Sequence, residues 1–197
     1  MSLEHKHLGG LEPGQQTIHK YLVIRSREGD RRAQNELYRM FAGAMFNICR
    51  RMMGNEEDAR DVMQEGFIDA FTKINKLREE VTFSAWLKRI MINNCINTIR
   101  KRKLEVFNME DDFDVADFND DWVSDDFNKQ EIRKVMGAID QISQGCRTVL
   151  NLYLFEGYDH KEIGGILNIT EAASKSQYSK AKAKIRKIIE SNSLSYG

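Results

Sequence analysis

The chain has 197 residues, and 30 Lys and Arg balance 30 Asp and Glu to a formal net charge of +0. A hydrophobic content of 41% is enough for one large or two small cores. No apolar run reaches the length of a membrane span, and the amino terminus lacks the apolar core of a signal peptide. We therefore expect a cytoplasmic protein without membrane insertion.

The amino-terminal half predicts four helices. A loose tail is expected over residues 1–16, and the one proline, Pro13, lies within it. Long helical periodicities follow without strand alternation, which indicates an all-α class. The predicted helices are 17–27, 31–53 after a cap at Asp30, 55–77 after a cap at Asn55, and 82–103 opened by Thr82 or Ser84. The core face predicted for the second helix contains Leu37, Met40, Phe41, Met45 and Ile48.

An acidic segment separates the two halves of the chain. Residues 105–126 carry ten acids and neither Lys nor Arg, and such like charge resists packing. We predict a flexible acidic linker there, joining a helical domain at 17–104 to a second one at 127–191, with a short tail at 192–197. The helices expected in the second domain are 127–141, 144–155, 159–167 and 171–190.

Three separated cysteines and four histidines carry no metal-ligand spacing. Cys49, Cys95 and Cys146 lie in apolar helical surroundings, which predicts reduced core thiols. His19 and His160 are expected at the surface. The sequence therefore predicts neither a cofactor nor a metal site.

The third predicted helix carries an acidic stripe opposite its apolar face. The stripe contains Asp58, Asp61, Gln64 and Glu65, with Glu57 beside them. Acids in a first turn favour the helix dipole, but this does not account for those deeper in the helix. They would repel DNA, so the stripe indicates a basic protein partner, with an ordinary solvated face as the alternative.

The fourth predicted helix carries a different stripe. Opposite its apolar face lie Trp86, Arg89, Asn93, Asn97 and Arg100. An indole stacks on an unpaired base, amides bond to base edges and guanidinium groups hold phosphates, so the stripe suits single-stranded DNA. The loop before it, with Phe83 at its end, is expected to receive a flipped base. Packing of Trp86 at the bundle rim is the alternative.

Residues 159–187 have the form of a helix-turn-helix. Asp159 and Thr170 are good caps for its two helices, and Gly164 with Gly165 permits close helix approach. The second helix would turn an apolar face inward and a basic, small polar face outward. The predicted contacts to a duplex major groove are Lys175, Ser176, Gln177, Ser179 and Lys180. A solvated lysine-rich helix is the alternative.

These motifs, in this order, resemble the sigma-70 family of RNA polymerase initiation factors, in its extracytoplasmic-function (ECF) group. The similarity covers about residues 17–190. The segments that carry it are EDARDVMQEGF at 57–67, FSAWLKRI at 83–90, RTVLNLY at 147–153, EGYDHKEI at 156–163 and SKSQ at 174–177. In two departures, many members have Arg where this chain has Gln177 and Gly where it has Ala172.

The resemblance implies partners and roles. The third-helix stripe would contact core RNA polymerase, the fourth-helix stripe with Phe83 would engage the −10 element as it opens, and the basic face would read the −35 element as duplex. An anti-sigma factor is a further implied partner, and a small-molecule substrate is not. Gln177 leaves the −35 base preference open, because Gln suits adenine where Arg suits guanine.

Two other classes of protein fit parts of the sequence. A free-standing helix-turn-helix regulator would use the basic face, but it has no need of the acidic stripe or the Trp86 stripe. An enzyme with a metal site in the acidic segment would need carboxylates held in fixed positions. A flexible segment does not fix its side chains in this way.

Overall fold

The computed structural model describes residues 13–78, 82–106 and 127–194. Those residues contain eight α-helices and no strand, which confirms the all-α class. The helices are α1 (Pro13–Arg27), α2 (Arg31–Met53), α3 (Glu56–Lys73), α4 (Phe83–Val106), α5 (Phe127–Asp140), α6 (Gln144–Leu154), α7 (His160–Leu167) and α8 (Glu171–Leu194), with a 3-10 turn at Ile74–Lys76. Most of the predicted linker lies outside the described residues.

Helix boundaries follow from local chemistry. Helix α1 begins at Pro13, inside the predicted tail, because proline suits a first helical position where no amide hydrogen bond is lost. The amides of Arg32 and Asp58 are bound by the side chains of Asp30 and Asn55, which confirms both predicted caps. Helix α8 continues to Leu194, beyond the predicted end at 190.

The described residues form two compact units. One comprises the described parts of Met1–Ile48 and Asp61–Asn94, and the other those of Cys49–Arg60 and Cys95–Gly197. This division differs from the predicted one at 105–126, because the ends of α2 and α4 and the start of α3 associate with the carboxy-terminal helices. The predicted domain bounds stay a prediction.

In the first unit, apolar residues of α1 to α4 form the core. Buried residues include Leu22, Leu37, Met45, Val62, Phe67, Leu87 and Met91. Gly66 of α3 leaves room for the Met91 side chain of α4, since a Cβ there would lie 2.3 Å from Met91 Sδ. Met40 was predicted to face the core but is 46% exposed, because one turn of α2 holds more apolar residues than its buried face accommodates.

In the second unit, α5, α6 and α8 enclose a separate core. Its buried residues are Ala138, Ile139, Ile142, Leu150, Ala181 and Ile188. Tyr178, Ile185 and Ile189 of α8 pack against this cluster and are partly buried. The apolar face predicted for this helix is therefore confirmed, and the opposite face is left to solvent.

The predicted core thiols are also present. Cys49 and Cys95 are buried and Cys146 is half-buried, all as free thiols. Contact with the Cys49 thiol, together with burial, raises the pKa of Cys95. Cys95 is consequently held in the neutral form as a packing residue.

Candidate nucleic-acid interface

The acidic stripe of α3 is mostly exposed. Asp61, Gln64 and Glu65 lie on the solvent side of the helix, while Val62, Met63 and Phe67 are buried on the other. This arrangement leaves three of the four predicted protein-binding side chains accessible to a partner.

Asp58, the fourth residue of that stripe, has partners within the chain. Its carboxylate forms an ion pair with Arg102 of α4 and accepts a hydrogen bond from Asn55. The Arg102 hydrogen bonds are the main reason that the pKa of Asp58 lies below its usual value of 3.8. Asp58 thus joins the start of α3 to the end of α4.

The Trp86 side chain of α4 rests on a column of aromatic rings. Phe83 lies between Phe41 and Trp86, with ring centroids 5.4 Å and 6.0 Å away. Phe83 is 5% exposed, so its predicted contact with DNA is wrong: the ring belongs to the core and supports the indole. Trp86 itself is half-buried, which leaves part of its surface to solvent.

The polar members of the fourth-helix stripe are exposed. Arg89, Asn93 and Asn97 are open to solvent along α4. Arg100 is exposed as well, but its Nη2 donates a 2.9 Å hydrogen bond to the carbonyl of Ile166 at the end of α7. The predicted base-receiving loop includes residues 79–81, which lie outside the described residues.

Helices α7 and α8 form the predicted helix-turn-helix. Asp159 accepts the Glu162 amide at 2.7 Å while the Glu162 carboxylate accepts the Asp159 amide at 2.8 Å, a complete capping box. Asn168 ends α7 in the left-handed region at φ 57°, and Thr170 caps α8 through the amide of Ala173 at 3.1 Å.

Close approach at the turn requires one of the two predicted glycines. A Cβ on Gly164 would lie 2.8 Å from the carbonyl oxygen of Ile169, whereas a Cβ on Gly165 would have no atom within 4 Å. Gly164 therefore sets the spacing of α7 and α8, and Gly165 does not.

The outer face of α8 presents basic and hydroxyl side chains. Lys175, Ser176, Ser179 and Lys180 are exposed. Lys175 forms a 2.6 Å ion pair with Glu171 one turn earlier. Gln177 departs from this set: it is half-buried, and a Cβ added at Gly145 would lie 3.1 Å from its Oε1.

The inner face of α8 is oriented by a histidine that sequence patterns missed. His160 Nδ1 lies 3.0 Å from Oγ of the buried Ser174, and the His160 ring stacks on Tyr153 at 4.6 Å. His160 is half-buried, so its expected place at the surface is wrong. Its position at the start of α7, facing a small polar residue of α8, was the available signal.

A metal site and a membrane-spanning helix are both absent from the residues that the structure describes. Within 13–78, 82–106 and 127–194, no group of three or more His, Cys, Asp or Glu is arranged to hold a metal ion. No helix among the described residues is long and apolar enough to cross a membrane.

Comparisons with known proteins cover both units. Residues 37–105 match "Sigma-70 region 2" and residues 132–185 match "Sigma-70, region 4". The chain is 28% identical over 184 residues to the ECF RNA polymerase sigma factor SigW of Bacillus subtilis, spanning 85% of this chain and 95% of SigW. It is 26% identical over 182 residues to the RNA polymerase sigma-H factor of Pseudomonas aeruginosa, spanning 86% and 92%.

A solved structure shares the fold. The sigma factor RpoE, in its co-crystal structure with the anti-sigma factor NepR from Bartonella quintana, superposes with a TM-score of 0.54 at 19% identity. The match spans 79% of this chain and 96% of that chain.

Proposed function

Because the chain belongs to the sigma-70 family of RNA polymerase sigma factors, in the ECF group, we propose that it directs core polymerase to promoters by reading two elements in different ways. Helix α8 reads the −35 element as duplex, and helix α4 reads the −10 element as a melted single strand. The observation that carries the proposal is the presence of two exposed polar faces of different chemistry on these two helices.

The face of α8 suits a duplex. Ser176 and Ser179 are small hydroxyl side chains, and Lys175 and Lys180 lie beside them on the exposed side. A recognition helix inserts its first turns into the major groove, where hydroxyls bond base edges and lysines bond phosphates. The capping box on α7 and the close contact at Gly164 give this helix a rigid support.

The face of α4 suits an unpaired strand. Stacking on an aromatic ring is tolerant of base identity, and Asn93 and Asn97 add amides that distinguish base edges. Phe83, itself packed against Phe41, supports the Trp86 indole from behind, so the indole offers a platform that is already ordered. Pre-ordering of this kind lowers the entropy lost on binding.

The exposed Asp61, Gln64 and Glu65 supply the surface for core polymerase, and Asp58 supports it from within. Acids at these positions would repel DNA, so this face of α3 is suited to a basic protein surface. An anti-sigma factor is a further proposed partner, because the RpoE structure that shares the fold contains one.

Transcription from genomic DNA by core polymerase tests the function. We expect added protein to produce transcripts whose mapped 5′ ends share two upstream motifs, and core alone to produce none of them. A Lys175→Ala/Lys180→Ala variant should lose transcripts that depend on the upstream motif while still binding core polymerase. Identical 5′ ends with and without the protein would refute the proposal.

A second candidate function is that of a free-standing helix-turn-helix regulator. The observation that favours it is the complete helix-turn-helix formed by α7 and α8. Such a regulator would change the output of polymerase already carrying another sigma factor and would leave core polymerase inactive. The same transcription reaction therefore separates the two functions.

A further inference from the structure

Aromatic rings from α6, α7 and α8 contact one another in the second unit. The His160 ring at the start of α7 stacks on Tyr153 of α6, with centroids 4.6 Å and planes 12° apart. Tyr178 of α8 lies 4.6 Å from Tyr153 and 5.6 Å from His160. Because a ring from each neighbouring helix packs against the imidazole, its plane is fixed and its Nδ1 has a set direction.

That direction leads to a buried hydroxyl group on the inner face of α8. Ser174 is fully buried, and its Oγ lies at hydrogen-bond distance, 3.0 Å, from His160 Nδ1. A hydroxyl group removed from water costs free energy unless it is hydrogen-bonded. The bond to His160 therefore explains how a polar side chain fits the face of α8 that is otherwise apolar.

The bond adds a second fixed point between α7 and α8. The first is the close approach at Gly164, where a Cβ would lie 2.8 Å from the Ile169 carbonyl oxygen. His160 comes one helical turn before Gly164, so the two points are about 6 Å apart along α7. One contact fixes the separation of two helices, and a second contact along their length also fixes the angle between them.

A small change of this angle moves the outer face of α8 a long way. A shift of about 1 Å at the His160–Ser174 bond, acting over about 6 Å, turns α8 by about 10°. Lys180 lies about 15 Å along the helix from Thr170, so this rotation displaces it by roughly 2.5 Å. Hydrogen bonds keep their strength over only about 0.5 Å, so contacts to base edges would be lost.

We propose that His160 and Ser174 form a positioning pair, which sets the angle at which α8 enters the −35 major groove. Ser174 reads no base itself, because it is buried, but it directly precedes Lys175 and Ser176 on the exposed face. The inference rests on the proposed function, because the angle of α8 affects recognition only if this helix reads a duplex.

Transcription from two templates tests the positioning role in the full chain with core polymerase. One template is a promoter taken from the mapped 5′ ends, and the other is the same promoter with its upstream motif scrambled. The ratio of the two transcript yields is the −35 discrimination. It should fall about tenfold in His160→Phe, which keeps a ring beside Tyr153 but lacks Nδ1, and in Ser174→Ala, since a misplaced helix loses about one base contact.

Paired substitutions show whether one bond is responsible. His160→Phe/Ser174→Ala should lose no more discrimination than the worse single variant, because all three variants remove the same bond. His160→Asn places an amide near the position of Nδ1 and should keep most of the discrimination. Multiplied losses in the double variant, or a loss in His160→Asn as large as in His160→Phe, would overturn the pair.

A control variant separates positioning from stability. Thr148→Val removes a different buried hydroxyl group, one that donates to the Gln144 carbonyl within α6. It should lower the free energy of unfolding and leave the discrimination unchanged. Circular dichroism and a pull-down with core polymerase check that each variant folds and binds. If Thr148→Val loses discrimination as His160→Phe does, reduced stability explains both and the positioning role is wrong.

The outcomes distinguish this inference from the proposed function. If the parent discriminates and the folded His160→Phe and Ser174→Ala variants do so equally well, the positioning role is overturned and the proposed function stands. Ser174→Ala removes a single oxygen atom, so it decides the question even if His160→Phe fails to fold. Equal yields from both templates with the parent would refute −35 reading by α8, and the positioning pair with it.

Discussion

On α3 and α4, two of the three proposed binding helices, neighbouring side chains have different roles. On α3, Asp61 faces solvent, whereas Asp58 on the same stripe is bound by Arg102. On α4, Trp86 is half-buried on Phe83, whereas Asn93 is open. Within one stripe, some residues therefore stabilise the fold and others are exposed to a binding partner.

Asp61→Arg should abolish binding to core polymerase, because it places a positive charge in the acidic surface proposed to meet a basic one. A pull-down with purified core polymerase measures this. Glu36→Arg, at an exposed acid on α2, is the matched control and should bind as the parent does. Normal binding by Asp61→Arg would remove α3 from the polymerase interface.

Trp86→Ala should weaken promoter opening more than closed-complex formation, since loss of a stacked base costs about 1–3 kcal/mol only once the strand is melted. Permanganate reactivity of thymines in the −10 element measures opening, and a gel shift on ice measures the closed complex. Trp86→Phe retains an aromatic platform and should keep most of the opening. Equal reactivity of Trp86→Ala and parent would contradict the role.

The pH dependence of stability should reflect Asp58. The pKa of Asp58 lies below 3.8 in the folded chain. Its contribution to the free energy of unfolding is therefore fully present above pH 3.8, and it is lost as the pH falls through the lower pKa of the folded chain. Arg102→Gln should raise the Asp58 pKa toward 3.8, measured by carboxyl NMR titration. The exposed Arg89→Gln should leave it unchanged; if Arg102→Gln also does, the ion pair does not set this pKa.

At the scale of elements, apolar spacing and caps predicted most of the fold. The ends of α2, α5, α6 and α7 lie within about two residues of the predicted positions, because caps and apolar periodicity are local properties of the chain. Met40, predicted to be buried, is exposed, and Phe83, predicted to contact DNA, is buried. Both lie at the edge of a helix face, where packing of the neighbouring residues decides whether a side chain is buried.

Gly164→Ala and Gly165→Ala, adjacent in α7, should change stability in opposite directions. The first forces a Cβ against the Ile169 carbonyl and should cost about 1–3 kcal/mol, as overpacking does. The second adds a methyl group in open space and should gain about 0.5–1 kcal/mol from reduced backbone entropy. Chemical denaturation followed by circular dichroism measures both, and equal effects would contradict the close contact at the turn.

At the scale of the whole molecule, we expect the balance of charge to limit the affinity of the free protein for DNA. The basic faces of α4 and α8 are offset by acids elsewhere, to a formal net charge of +0. Free protein should therefore bind promoter duplex with a Kd above about 1 μM at 0.15 M salt, in the range of non-specific binding. Fluorescence anisotropy measures this. A nanomolar complex without polymerase would favour the free-standing regulator.

The order of motifs, the all-α class and the exposed face of α8 were determined by the sequence alone, because periodicity, caps and clustered charge are read along the chain. The tertiary structure decided which residues of each proposed binding face remain available to a partner. Asp58 forms an ion pair with Arg102, and Arg100 donates a hydrogen bond to the Ile166 carbonyl. The end of α2 is hydrogen-bonded by a side chain of α6. The physical reason is that partners 44 to 100 residues apart meet only when helices pack, and no local pattern in the sequence specifies that pairing.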